Sequence, residues 1–492
     1  VTDIFQDVIQ TNALGLPTHT VHGGEAEALQ LVYQSFFVNV IGDEAPDTMV
    51  RANLGIDAGG ITFVSPRRNH GALLPGGSGN TAFFVHYTGW GPTQEAKFII
   101  EMNRARNMDE YKAALQYFDI GSQNWIYGDV EGNIGYFTSA ENPIRSDLAA
   151  GTVDGGVPPW FIRDGTSGVH EWLPVQNPQP GQAVPYEILR QDELPQTINP
   201  AAGWFVNANN DPAGTVLDNN PLNQVRLGGQ GIYYLNPGYA GGFRAGTITR
   251  RVREYVDTQG ELSKADLQSI QADITLLDAR VFLPYILNAF DNAGQAGKPD
   301  KLADLAADPR IAEAVSRLAD WDFSTPTGLQ AGYDDGDPVV PTWTMLPPPA
   351  AGEIDRSVAA TIYSVWRGQA FRRLLDEPLE GLRRPGSTQA MTALQHILRT
   401  DGGTGVIDFF AVSDISDPLD QRDYKLLSAL QAALDLLASA EFAPAFANST
   451  DQSDYRWGKL HRIVLDHPFV DAFSIPPQPP GVFPQPVPGL SG

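Results

Sequence analysis

The sequence predicts an α+β protein in which a sheet-rich first half is followed by a mainly helical second half. Up to about residue 250, β-branched and aromatic runs are split by Gly, Pro, Asn and Asp, the punctuation of a sheet. Beyond that point apolar residues recur at helical spacing. A hydrophobic fraction of 42% with 10% aromatics supplies enough apolar surface for a packed core and excludes disorder across the chain.

In order, ITFVS (61–65), TAFFVHYTGW (81–90) and NIGYFTS (133–139) read as strands. One helix interrupts them: Asn107 with Glu110 forms a capping-box pattern, and Met108, Tyr111, Leu115 and Phe118 share a face. Residues 204–206, WFV, read as a buried strand that runs into Asn207, Asn209, Asn210 and Asp211. Ser263 with Asp266 resembles a capped start, and Leu267, Ile270, Ile274, Leu277 and Val281 continue at helical spacing. Further helices are expected near 309–319, 354–375, 386–399 and 423–441. The end, SIPPQPPGVFPQPVPGLSG, is proline-rich and extended. These readings divide the chain into a sheet-rich part (1–250), a mainly helical segment (251–450) and a return with the proline-rich end (451–492).

Charge and composition exclude several functions. A formal net charge of −25 would repel nucleic acid and anionic membrane surfaces, and it disfavours acidic substrates. With no cysteine there is no disulfide, thiolate nucleophile or thiolate metal site. No apolar run approaches the roughly 18 residues that span a bilayer. The start, VTDIFQDVIQTN, lacks an initiator methionine and a signal-peptide pattern, so the chain is expected to be a piece of a longer product.

Familiar chemical motifs fail. His19 and His22 lack an identifiable third metal ligand, and His461 and His467 read as packed or capping residues. GGSGN (76–80) and GTSGV (165–169) miss the nucleophile-elbow spacing, and no P-loop or dinucleotide fingerprint stands in context. The acidic loops DVEGN (129–133) and YDDGD (333–337) offer carboxylates to calcium without matching an EF-hand loop, or are solvated turns. The amides and carboxylate of residues 207–211 suit either an oxyanion donor at a rigid strand end or Asx-type turns that close the strand.

Several segments, in order along nearly the whole chain, carry a resemblance: VTDIFQDV (1–8), SPRRNHGALLPG (65–76), QNWIYGDVEGNIGYF (123–137), NPIR (142–145), GGVPPWFIRDGTSGVHEW (155–172), GWFVNANNDPAG (203–214), YAGGFRAGTITRRV (239–252), QADITLLDARVFLP (271–284) and WGKLHRIVLDHPF (457–469). Together the chain resembles the middle of the β subunit of the penicillin acylase family of N-terminal-nucleophile amidohydrolases. The resemblance implies a four-layer αββα sandwich, here incomplete and carrying a mainly helical insertion. It also implies a self-cleaving precursor whose β subunit begins with a nucleophilic serine, with that serine's α-amine as base. In relatives the serine lies several dozen residues before VTDIF, so the serine and the preceding α subunit are expected outside this chain, and the covered fragment alone is expected to be inactive.

On the same resemblance Asn209 matches the side-chain oxyanion donor and Arg244, in GGFRAG, an arginine near the active site, with a structural ion pair as its alternative. Gln123 matches an acyl-pocket position, where a polar residue sits poorly with a phenylacetyl-like specificity. A structural Ca²⁺ site maps onto the carbonyl of Thr2, Asp3, the carbonyl of Pro159, and Asn220 or Asp218; asparagine is a weaker oxygen ligand. The implied activity is periplasmic or secreted hydrolysis of an acylated small molecule of β-lactam, acyl-homoserine lactone or lipopeptide type, with no organic cofactor. Two readings compete: a catalytically inactive calcium-binding scaffold or small-molecule binding protein of the same fold, and a carbohydrate-binding or structural β protein.

Overall fold

The structure is a computed structural model and describes residues 1–37, 55–57, 60–68, 71–74, 76–330, 347–402 and 405–461. The acidic loop YDDGD, His467 and the proline-rich end lie outside the described residues. The chain forms two compact units, Val1–Tyr239 and Ala240–Gly492.

The first unit is built on antiparallel strands. β1 (Thr2–Thr11), β2 (Pro17–His22), β3 (Glu25–Ala28), β4 (Gln30–Phe37), β5 (Gly55–Asp57), β6 (Gly60–Arg68), β7 (Gly71–Leu74) and β8 (Thr81–Tyr87) precede the helices α1 (Glu95–Arg104) and α2 (Met108–Ala114). The hairpin of β9 (Gln123–Gly128) and β10 (Ile134–Ser139) follows, then α3 (Ser146–Ala149), β11 (Arg163–Asp164) and β12 (Gln196–Ile198). The larger sheet runs β3-β2-β1-β8-β7-β6-β4, with β11 parallel to β1 and β5 beside β6. A smaller sheet runs β12-β10-β9.

Alternation explains β1 and β8. Asp3, Phe5 and Asp7 lie on the buried face of β1, opposite His86, Phe84 and Ala82 of β8. Two of these buried positions are carboxylates, and each has an arginine: Asp3 takes Arg145, while the Arg68 Nη1 donates to Asp7 at 2.9 Å. Gly71 has φ +91°, and a Cβ there would lie 2.1 Å from the Val85 carbonyl, so β7 approaches β8 through a residue that must lack a side chain.

The expected cap of α2 is present, with the Asn107 side chain accepting from the Glu110 N–H. One expectation changes here. Residues 204–206 belong to no strand; their segment leans on β10 through side chains, with the Phe205 ring 5.9 Å from that of Tyr136, and not through a ladder. An apolar run does not distinguish contact through rings from pairing through the backbone.

The second unit is helical: α4 (Gly242–Gln259), α5 (Lys264–Gln271), α6 (Leu277–Ala293), α7 (Asp300–Ala307), α8 (Pro309–Ala319), α9 (Ala351–Phe371), α10 (Ser387–Arg399), α11 (Pro418–Leu437), α12 (Ala443–Phe446) and α13 (Trp457–Leu460). Asp308-Pro309 and Asp417-Pro418 place a capping carboxylate just before a proline at the first helical position, which starts α8 and α11. The core joins α6 to α11, and α9 is buried on nearly every side from Ser357 through Arg367. The periodic run expected to continue from 267 to 281 is divided between α5 and α6. The Asp273 carboxylate captures the N–H and hydroxyl of Thr275, at 2.8 and 2.5 Å, which competes with helix propagation.

Candidate functional site

The asparagine-rich turn is assembled from its own side chains. Asn207 Oδ1 accepts from the Asn209 N–H at 3.3 Å, and Asn210 Oδ1 accepts from the Ala208 N–H at 3.0 Å. Asp211 closes the far side by accepting from the N–H groups of Ala213, Gly214 and Val216, at 3.0, 2.9 and 2.7 Å. Asn209 sits at the apex with φ +59°, the left-handed region, and is exposed beside buried Ala208. The stretch is therefore a set of Asx-type turns, with the Asn209 side chain left at the exposed apex.

The turn is fastened to the smaller sheet. Asn207 Nδ2 donates to the Tyr136 hydroxyl at 3.4 Å, and that hydroxyl donates to Asn124 Oδ1 at 2.6 Å. In the β9–β10 register Ile126 faces Tyr136, so Asn124, Ile126 and Tyr136 share one face. Gln123 alternates to the other face, with Trp125 and Phe137, whose rings join the cluster of Phe98, Leu115 and Phe118. The structure thus brings Asn124, Tyr136 and Asn207 to the turn, and it sets Gln123 on the opposite side of the strand. Of these, Asn207 was read from the sequence as part of the asparagine-rich run, and Asn124 and Tyr136 were not. A strand beginning with adjacent Gln-Asn presents one of them to each face, and only the register shows which.

Phenols surround this turn. Burial raises the Tyr136 hydroxyl to about 12, and it raises Tyr239 and Tyr233 further, helped by the negative charge of Asp211. They remain neutral donors near neutral pH, so the turn's support does not titrate there. Arg244 is exposed in the first turn of α4, in the second unit.

The residues expected to bind calcium do not fit a calcium site in this arrangement. Both oxygens of Asp3 accept from Arg145, and Asp3 Oδ2 also accepts from Trp172 Nε1. Asp218 accepts from the Asn220 N–H at 3.0 Å and from Asn223 Nδ2 at 2.5 Å, while Asn220 Oδ1 accepts from the Leu222 N–H. Thr2 pairs opposite Tyr87, and Pro159 lies in the turn closed by the Phe161 N–H on the Pro158 carbonyl. In DVEGN, Asp129 spends its oxygens on Glu131, Asn133 and Tyr127, closing the β9–β10 hairpin. Among the described residues no group of three or more His, Asp or Glu side chains is placed to hold a metal ion.

A family model described as Penicillin amidase matches residues 32–491. Among solved structures, a thermostable penicillin G acylase from Alcaligenes faecalis, in an orthorhombic form, superposes with a TM-score of 0.56 at 17% sequence identity. The match covers 93% of this chain and 67% of that one. At this identity the likeness is one of fold, a mixed α and β architecture with antiparallel sheets.

Proposed function

The chain belongs to the penicillin amidase family, and from that premise we propose that it carries the oxyanion donor of an amidohydrolase acting on an N-acylated small molecule. Amide hydrolysis is the family's chemistry; the assignments that follow are the finer reading. The nucleophile is an N-terminal serine on a segment preceding residue 1, with its α-amine as base. The serine oxygen attacks the amide carbon, its proton passes to the α-amine, and negative charge collects on the former carbonyl oxygen. Collapse transfers that proton to the departing amine and leaves an ester on the serine, which water cleaves to the carboxylic acid.

Asn209 donates its side-chain N–H to that oxygen. The observation that carries the reading is the turn itself: an exposed asparagine at a left-handed apex, in a backbone fixed on both sides by the side chains of Asn207, Asn210 and Asp211. A neutral donor held in place before charge develops stabilises the transition state more than the ground state. Arg244 is assigned to ordering that donor and the substrate. Gln123 keeps its assignment to the acyl pocket on the family resemblance alone, because it lies on the face of β9 away from the turn. β-Lactams, acyl-homoserine lactones and acylated lipopeptides are the substrate candidates, and the enzyme is placed in the periplasm or secreted.

The test is intact mass and N-terminal sequencing of the product of the complete reading frame, followed by assay on a panel of N-acyl amides. Two chains, the larger beginning at a serine upstream of Val1 and releasing carboxylic acid, are expected. A single uncut chain without turnover overturns the reading in favour of a binding scaffold.

A further inference from the structure

The buried face of β1 carries a carboxylate, Asp3, and the structure surrounds it completely. Arg145 Nε and Nη2 donate to its two oxygens, each at 2.7 Å, and Trp172 Nε1 donates to Oδ2 at 2.8 Å. The Trp172 ring stacks on His86 of β8 with centroids 3.7 Å apart, and His86 Nε2 is 3.0 Å from the Tyr186 hydroxyl. The Arg145 guanidinium lies over the Tyr234 ring, 5.0 Å from its centroid. Asp3, Arg145 and Trp172 are each at most 5% exposed. This one carboxylate therefore joins β1, the segment of residues 142–145 and the segment around Trp172, which are distant in sequence.

A calcium ion takes six to eight oxygen ligands and favours charged carboxylates. At Asp3 it would either displace a bidentate guanidinium or sit beside it in a buried, weakly screening environment. Neither is compatible with the arrangement described, and Asp218 and Asn220 already use their oxygens locally. We infer that Arg145 is the cation that anchors Asp3, in the place the family resemblance gives to calcium, so that this unit holds its fold without bound metal. The inference is independent of the assignment of Asn209 and of the reaction.

Thermal unfolding of the full-length protein in excess EDTA and in excess CaCl₂, with metal content by mass spectrometry, tests it. A bound ion at about 100 times its Kd raises Tm by about 5–10 °C. The expected result is the same Tm in both solutions and no stoichiometric calcium. A Tm that falls in EDTA and is restored by calcium overturns the inference. Arg145→Met provides the second measurement. Its Tm should fall in both solutions, because the carboxylate is left buried and unpaired; a parental Tm in calcium would show the metal to be the anchor and overturn the proposal.

Discussion

Asparagine tolerates the left-handed backbone region better than other side chains because its short amide can bond locally, so φ +59° at Asn209 constrains the residue before any chemistry is considered. Two substitutions separate conformation from chemistry. Asn209→Gly keeps the backbone and removes the amide, whereas Asn209→Ala removes the amide and adds about 1 kcal/mol of backbone strain. In the full-length enzyme both should lower kcat by ~10²–10³, and only the alanine variant should lose stability. Parental turnover in the glycine variant would exclude Asn209 from the reaction. Tyr136→Phe, which unlinks Asn207 from Asn124, should reduce kcat by about tenfold through positioning alone. The turn was legible in the sequence because asparagines at 207, 209 and 210 concentrate hydrogen-bonding capacity, whereas the donor role proposed for Asn209 rests on the family resemblance. Its supports were not, because Tyr136 lies 71 residues from Asn207 and nothing local records their meeting.

Elements with a local cause were readable: the Asn107 cap, the helix start at Pro309 and the alternating run of β8 follow from neighbouring residues, although the same Asp-Pro signal at Asp417-Pro418 starts α11 five residues before the expected 423. Elements decided by competition or by distance were not. The division at Asp273 is a side chain outbidding the helix for one N–H, and residues 204–206 pack as a strand would without pairing as one. A further junction ties α1 to the loop before β9. Asp119 Oδ2 accepts from the Gln94 N–H at 2.5 Å, and Glu95 Oε1 accepts from the N–H groups of Asp119 and Ile120. Asp119 is fully buried, and burial raises its carboxyl to about 6, with the nearby Glu95 charge adding to the effect. The folded state thus keeps a proton up to about pH 6 that the unfolded chain releases near its ordinary value of 3.8. Stability contributed by this group falls as pH rises across that interval and is constant above it. Asp119→Asn imitates the protonated form, so it should raise Tm at pH 8 and leave it unchanged at pH 4. An equal shift at both pH values would mean that Asp119 does not titrate in this window.

At the scale of the molecule, net charge sets a field that acts on charged solutes. The chain carries 33 basic and 58 acidic residues, a net charge of −25, and among the described residues no helix is long and apolar enough to cross a membrane. Such a field lowers the local concentration of anions and leaves neutral molecules unaffected. Raising ionic strength from about 0.01 M to about 0.15 M shortens the screening length from roughly 30 Å to roughly 8 Å. For an acyl amide bearing a free carboxylate, kcat/KM should therefore rise with added salt, by about three- to tenfold. The uncharged ester of the same compound should show a flat profile, which separates the field from general salt effects on the enzyme. If the anionic amide instead slows as salt is added, a local positive field governs entry against the net charge. Arg244→Gln then identifies the source: loss of the inverse salt dependence assigns that field to Arg244, and its persistence assigns it to another cation.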